Sequence, residues 1–310
     1  MQVAVHMLST PNKQERDLLM DFAKGINSYG DVADMIFDST YFPDHADYHV
    51  IWGSWKPRSD EHHTVKNQVV RFCRREDVKF ICIETPLFGR KKVETVMTDA
   101  YNRIGVNGFL ADTGNFNNQN SPSDRWEKMR KDLDIEVKPW RTDGDRITIA
   151  LQLPGDASLR GANISKWAYE TARDAKKILT TLGIDKRIVV RTPQLQREFD
   201  QSYIDGIAQL GCEFEIGTKE NLLESFENCW VAFTYSSGYG VDAVINGVPV
   251  IACDPGSFVY NISSNSVDAL LDPKMVTEEE RMQWLYDLSY AQWHQRDLKN
   301  GKVWQHLRGV

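Results

Sequence analysis

The chain has 310 residues, 41% of them hydrophobic and 26% charged, a globular balance that excludes intrinsic disorder and suits two domains of about 150 residues each. Its formal net charge of −7 argues against a protein that coats nucleic acid indiscriminately, and no apolar run approaches the roughly eighteen residues needed to span a bilayer. Five dispersed cysteines show no CxxC or Cys/His spacing, so no metal site is expected and reduced, buried thiols in a cytoplasmic protein are.

The first residues lack a charged leader and a cleavage site and read as a strand. Val3 to Leu8, Met35 to Phe37, Tyr48 to Trp52 and Phe80 to Ile83 are strand-like runs. Between them, Pro11 to Ser28 places Leu18, Leu19, Phe22 and Ile26 at helical spacing, with Gly30 as a stop. His63 to Arg75 does the same with Val65, Val69, Val70 and Cys73. Such alternation predicts a parallel sheet with crossover helices, whose ligands gather at the carboxyl ends of the strands.

Ten basic residues stand against five acidic ones from Lys56 to Lys92. This net +5 is either a solvated helix face or an anion-binding surface, and Arg75 and Arg90 are its candidate acceptor contacts. Two carboxylates are placed to act as a base. Glu84 ends its strand just before Pro86, and Asp112 sits in the Gly/Asn-rich turn from Gly105 to Asn115. A carboxylate that takes a proton from an attacking hydroxyl contributes about 10²–10⁴-fold in rate, although either residue could equally cap a helix. His62 and His63 are rivals that open a helix and face water. Asn115 to Asp124 is polar and is expected to be a mobile loop.

Lys138 to Asp145 clusters turn formers and reads as a linker. Arg146 to Gln152 then begins a second domain, and Gln152 and Ser158 lie in the loop after its first strand. Trp167, Ala168, Ala172, Ala175 and Ile178 mark the next helix, and Arg187 to Thr192 the next strand. Trp230 to Thr234 is an apolar strand, followed by Ser236-Ser-Gly-Tyr-Gly and a helix carrying Val241, Val244 and Ile245. Gly247 and Pro249 stop that helix before a second strand, Val248 to Ala252, which ends at Asp254-Pro-Gly. Small residues between a strand and a helix let backbone N–H groups approach a diphosphate, although tight packing alone uses the same pattern. On this reading Ser236, Ser237, Gly238 and Tyr239 surround the diphosphate, Gln152 and Ser158 line the same pocket, and Asp254 faces sugar or ribose hydroxyls. Thr277 to Leu307 is helical in pattern and rich in aromatics, with Trp284, Leu285, Leu288 and Ala291 in one packing stripe.

The segment Ser-Ser-Gly-x-Gly-x-Asp-Ala-x-x-x-Gly-x-Pro-Val-Ile resembles the donor site of glycosyltransferases with the two-Rossmann GT-B fold. Its flavour is similar to that of phage-encoded enzymes, some of which glycosylate hydroxymethylated DNA bases, and of bacterial capsule enzymes. The close match covers about thirty residues, with a looser likeness over the C-terminal half. The resemblance implies two α/β Rossmann-like domains facing across a cleft: an acceptor-side domain over 1–140 and a nucleotide-sugar domain over 146–276. Helices from 277 to 310 would cross back onto the first. It further implies that Arg191, at a strand end, touches donor phosphate and that Asp242, where many relatives carry Glu, holds the ribose. The implied activity is hexosyl or pentosyl transfer from a nucleotide-sugar, a UDP-sugar foremost, with no separate cofactor. The acceptor stays open between hydroxymethylated pyrimidines in double-stranded phage DNA, which would place the enzyme in the host cytoplasm, and a saccharide or lipid-linked glycan. A UDP-sugar epimerase-like enzyme on the same fold is the alternative activity. A Rossmann oxidoreductase is disfavoured, because no Gly-x-Gly-x-x-Gly follows the first strand.

Overall fold

The computed structural model describes residues 1–8, 11–37, 42–55, 65–89, 101–193 and 199–310. In chain order the first elements are β1 (Gln2–Met7), α1 (Lys13–Ser28), β2 (Val32–Phe37), β3 (Tyr48–Trp52), α2 (Val65–Glu76), β4 (Lys79–Glu84), β5 (Tyr101–Val106) and α3 (Asp124–Asp132). Then come β6 (Arg146–Ala150), α4 (Ile164–Leu182), β7 (Arg187–Pro193), α5 (Gln201–Gln209), β8 (Glu213–Gly217), β9 (Cys229–Thr234), α6 (Tyr239–Ile245) and β10 (Val250–Ala252). The chain closes with α7 (Glu278–Ala291), β11 (Gln292–His294), α8 (Gln295–Lys299) and α9 (Lys302–Leu307). Asn12, Asn163 and Asp200 start α1, α4 and α5 by accepting the N–H of Glu15, Lys166 and Ser202 on their side-chain oxygens.

The chain divides into two compact units, Met1–Leu133 with Met282–Val310, and Asp134–Arg281. These limits differ from boundaries at 140, 146 and 277, because Lys138 to Asp145 is bonded into the second unit. The Lys138 N–H donates to the Ile245 carbonyl at 2.9 Å and the Arg141 N–H to the Gly247 carbonyl at 2.9 Å. Gly247 closes α6 with φ +75°, and a Cβ on it would lie 2.0 Å from the Pro139 carbonyl oxygen, so only glycine fits.

Unit 1 holds a six-stranded sheet in the order β11-β5-β4-β3-β1-β2. β1 pairs in parallel with β2 and β3, and β3 with β4, whereas β5 runs antiparallel to both β4 and β11. A single reversed strand therefore corrects the expectation of an all-parallel sheet. One face carries Val3, Val5, Val50, Ile81, Ile83 and Ile104 into a core closed by Leu18, Phe22, Trp293, Leu298 and Trp304. The expected long C-terminal helix is broken at Gln292–His294, which pairs with β5, and Trp293 and Trp304 pack as core: the Trp304 indole N–H donates to Asp31 at 2.7 Å. The stretch expected to be a mobile loop is tied down. Asn117 and Asn118 donate to the carbonyls of His306 and Asp287, and the Ser121 N–H to the Asp287 carboxylate at 2.7 Å.

Unit 2 holds a five-stranded sheet in the order β10-β9-β6-β7-β8, parallel throughout. Ile147, Ile149, Ile188, Val190, Val231 and Phe233 face α4 and α5, where Ala168, Ala172 and Ala175 let α4 approach closely. Cys73 and Cys82 are buried in unit 1 and Cys229 in unit 2, all as free thiols. Burial pushes the Cys73 thiol up to about 12 and raises Cys82 and Cys229 as well. Among the described residues no helix is long and apolar enough to cross a membrane, and no group of three or more His, Cys, Asp or Glu is placed to hold a metal ion.

Candidate functional site

The order of the unit 2 sheet sets where its loops meet. From β6 the chain winds outward through β7 to β8, then returns to lay β9 on the other side of β6. The loops after β6 and β9 consequently diverge to opposite faces and leave a crevice at their carboxyl ends. Gln152 and Ser236 meet there. The Gln152 carboxamide nitrogen donates to the Ser158 hydroxyl at 2.5 Å and to the Ser236 hydroxyl at 3.2 Å, while its oxygen accepts the Ser236 N–H at 3.1 Å. The Ser158 hydroxyl in turn donates to Asp156 at 2.6 Å. Three of the sequence-predicted residues thus form one hydrogen-bonded cluster.

Within the loop itself most amides are engaged. The Ser237 N–H donates to the Thr234 hydroxyl at 3.1 Å, and the Tyr239 N–H to the Ser237 hydroxyl at 3.2 Å. Gly238 is the N-cap of the helix, and the Ser237 hydroxyl just before it takes the N–H of the first helical residue. Gly238 has φ −59° and ψ −13°, ordinary helical values, and lies half-buried at the mouth of the loop. The helix it opens is only Tyr239–Ile245, so its dipole is short. Asp242 sits in the first turn of α6, where a carboxylate is favoured, and its carbonyl accepts the Asn246 side chain at 2.8 Å.

Asp254 is buried at the end of β10. Its carboxylate accepts the Gly256 N–H at 2.8 Å and pairs with the Arg160 guanidinium at 3.3 Å. Tyr235 hydrogen-bonds the same carboxylate, and its hydroxyl is held above the usual range by burial and by the negative charge beside it. Arg160 was not foreseen. It follows a short 3-10 turn at Ala157–Leu159 in a left-handed conformation, φ 53°, which aims it back toward β10. A left-handed arginine leaves no trace in a periodicity pattern.

Arg191 and Tyr239 are placed otherwise than expected. The Arg191 guanidinium is buried; it pairs with Glu215 and donates to the Thr218 carbonyl at 2.9 Å and the Asn221 side-chain oxygen at 2.7 Å. Glu215, the Thr218 carbonyl and Asn221 thus hold the guanidinium within the sheet and the loop after β8. Tyr239 turns its side chain inward, its hydroxyl 3.1 Å from Ser225 and its ring 4.9 Å from Phe226, and burial raises its hydroxyl well above the usual range.

In unit 1 the two candidate bases are separated by the reversed strand. Glu84 pairs with Arg103 across β4 and β5, whereas Ile81, near the start of β4, pairs with Val106 at the end of β5. Asp112, which follows β5, therefore belongs to the opposite end of the sheet and is exposed in a turn. It cannot flank Glu84. Arg75 is also at that far end, in the last turn of α2, bonded to Glu76 at 2.5 Å. Arg90, His62 and His63 lie outside the described residues. Both Glu84 oxygens are engaged, accepting the Ser54 and Thr85 N–H groups at 2.8 Å each. Arg103 and Lys66 supply positive charge near the buried Cys82 on the same sheet face. Arg103 was missed because Tyr101 to Ile104 was assigned no element and only Gly105 to Asn115 was read, as a turn.

No family model matches the chain, and no curated protein matches it in sequence. Among solved structures it is similar to a Thermosulfurimonas dismutans KpsC beta Kdo 2,4 transferase at 12% identity and a TM-score of 0.51, over 93% of this chain and 90% of that one. A beta Kdo 2,7 transferase structure of the same KpsC matches at 12% identity and 0.50, over 98% and 99%. The Staphylococcus aureus MnaA–UDP co-structure matches at 9% and 0.34, over 92% and 91%, too loose a likeness to support an inference. At such identities the likeness is one of fold. The architecture is α/β with two Rossmann-like domains of the GT-B type.

Proposed function

We propose that the chain is a glycosyltransferase that moves a sugar from a nucleotide-sugar, a UDP-sugar foremost, to a hydroxyl of a saccharide acceptor, with no further cofactor. The observation that carries this reading is the convergence of Gln152, Ser158, Ser236, Arg160 and Asp254 at the switch point of the unit 2 sheet. The likeness of fold to two Kdo transferases supports it. In this site the Ser237 and Ser158 hydroxyls and the Gly238 amide meet the diphosphate. Arg160, beside the loop, offsets its charge in the role first given to Arg191. Asp254 and Asp242 take diol hydroxyls of the sugar and ribose. Glu84 deprotonates the acceptor while Arg103 and Lys66 favour an anionic one. Nucleotide-sugars are cytoplasmic metabolites, so the reaction belongs in that compartment.

The test is thermal shift against a panel of nucleotide-sugars, where a ligand at 100 times its dissociation constant stabilises by roughly 2.7 kcal/mol. No stabilisation by any member would remove the donor site. Release of free nucleotide only when a saccharide acceptor is present identifies transfer, whereas an isomerised sugar without acceptor identifies an epimerase. Hydroxymethylated double-stranded DNA is the second acceptor to try, for the basic segment from Lys56 to Lys92. Transfer to it should weaken steeply with salt, as counterion release requires, and salt-insensitive transfer would remove it.

A further inference from the structure

The polar face of the unit 2 sheet carries a chain of charges that the donor reading leaves without a task. Arg146, on β6, donates to the Thr148 hydroxyl at 3.0 Å and pairs with Glu215 on β8 at 2.7 Å. Glu215 pairs in turn with Arg191 on β7, so one carboxylate is shared by two guanidinium groups. Gly217 leaves room for this: a Cβ there would stand 3.0 Å from Arg191 Nε. Arg191 then does two further things. It fixes the loop after β8 through Thr218 and Asn221, and it presents its guanidinium to the ring of Tyr239, 5.8 Å from the centroid. A cation held over an aromatic face in a buried setting attracts it.

Tyr239 connects this chain of charges to the loop. Its backbone N–H donates to the Ser237 hydroxyl, while its side chain is held by Arg191 and Phe226 at the ring and by Ser225 at the hydroxyl. The next residue, Gly240, packs against Thr234 and Val259 so closely that a Cβ would lie 2.9 Å and 3.0 Å from them. Displacing the ring would therefore move the backbone of Gly238 and Tyr239 rather than be absorbed by the helix. We infer that Arg191 is a positioning residue, which holds the Ser236–Tyr239 loop in shape through the ring of Tyr239 and does not touch the ligand. The inference rests on the donor reading above for what the loop binds, but not for how the loop is held.

The experiment combines amide hydrogen exchange across 236–241 with calorimetric binding of uridine diphosphate, on the full chain. Arg191→Met should speed exchange in that segment and weaken uridine diphosphate between about tenfold and a hundredfold, as loss of supporting contacts does. Tyr239→Leu should reproduce both effects, and adding Arg191→Met to it should cost little more. Tyr239→Phe, which keeps the ring, should stay within about twofold of the unaltered protein, within the scatter of additive independent changes. Glu215→Gln decides the sign: a ligand-contacting Arg191, released from its partner, would bind the diphosphate more tightly, whereas loosening a positioning Arg191 would loosen the loop and weaken the protein's affinity for it. Should Glu215→Gln fail to fold, the Tyr239 pair carries the same decision. Unchanged exchange in Arg191→Met, or additive losses in the double variant, would overturn the inference and leave the donor site intact. Faster exchange in Arg191→Met, with no nucleotide bound by the unaltered protein, would support the fastening and remove the donor reading instead.

Discussion

The two sheets differ by the direction of one strand, and that difference decides which side chains can work together. In unit 2 every strand points the same way, so the residues that follow β6, β9 and β10 arrive at a common edge: Gln152, Ser236 and Asp254 share it, and Arg160 folds back onto it. In unit 1 the reversed β5 sends Asp112 to the far edge and brings Arg103 beside Glu84. A second contrast follows the same division. All seven histidines lie in the stretches 1–133 and 282–310 that form unit 1. Two of them, His6 and His49, are buried against each other, Nε2 to Nδ1 at 2.8 Å, with Phe72 beside His49. Unit 2 instead meets its buried charge with paired arginine and glutamate.

The largest effect that would separate the units is acid. Burial, and for His6 also its neighbour, hold His6 down to about 3 and His49 to about 4, from 6.5. The unfolded chain takes up these protons as the pH falls through 6.5, and the folded chain does not, so stability declines from pH 6.5 toward 4. The slope reaches about 1.4 kcal/mol per pH unit for each imidazole. Calorimetry at pH 7, 5.5 and 4.5 should show unit 1 melting progressively earlier than unit 2. Replacing the pair by His6→Phe with His49→Leu should flatten this dependence; an unaltered acid loss in that variant would break the contrast.

Next in size is Glu84→Gln. Turnover should drop at least about a hundredfold, the share of a general base. The substitution is not silent for the fold, since a carboxamide offers one acceptor oxygen where two N–H groups point. A stability loss of about 1–3 kcal/mol should accompany it. Full turnover in a destabilised protein would make Glu84 a tie between two strand ends and nothing more.

A smaller change tests the unit 2 edge. Arg160→Ala should weaken nucleotide-sugar binding about tenfold, in the range of one charge-assisted hydrogen bond. Equal affinity in titration calorimetry would remove Arg160 from the site. Smallest of all should be Arg75→Ala and Asp112→Asn, at the far edge of unit 1. Neither should alter turnover, and stability should stay within about 0.5 kcal/mol. Lost activity in either would mean that the chemistry uses the opposite end of that sheet.

Elements with a strong apolar period were legible from the sequence: α1, β3, β4, β6, α4, β7, β9 and α6 lie where Leu18, Tyr48, Ile81, Ile149, Ala172, Val190, Phe233 and Val244 put them. Strand direction was not legible, because β5 reads Tyr-Asn-Arg-Ile-Gly-Val and its pairing is set by neighbours distant in sequence. The three-residue β11 inside a helical pattern was invisible for the same reason. At the site, Gln152, Ser158 and Ser236 could be foreseen as loop residues directly after two strands, β6 and β9. Arg160 and the inward turn of Arg191 could not, since each depends on a local backbone twist or on a carboxylate, Glu215, two strands from β6.

The buried thiols give the molecule a pair of internal clocks. Cys73 and Cys82 are sealed in unit 1 and Cys229 in unit 2, each with its thiolate disfavoured by burial. An alkylating reagent therefore reaches them only when the surrounding unit opens, while Cys212 and Cys253, half-buried, react ahead of them. Timed labelling read by mass would report two opening rates from one sample, with no residue substituted. The ratio of those rates would show directly which unit yields first, and whether a bound nucleotide slows one clock or both.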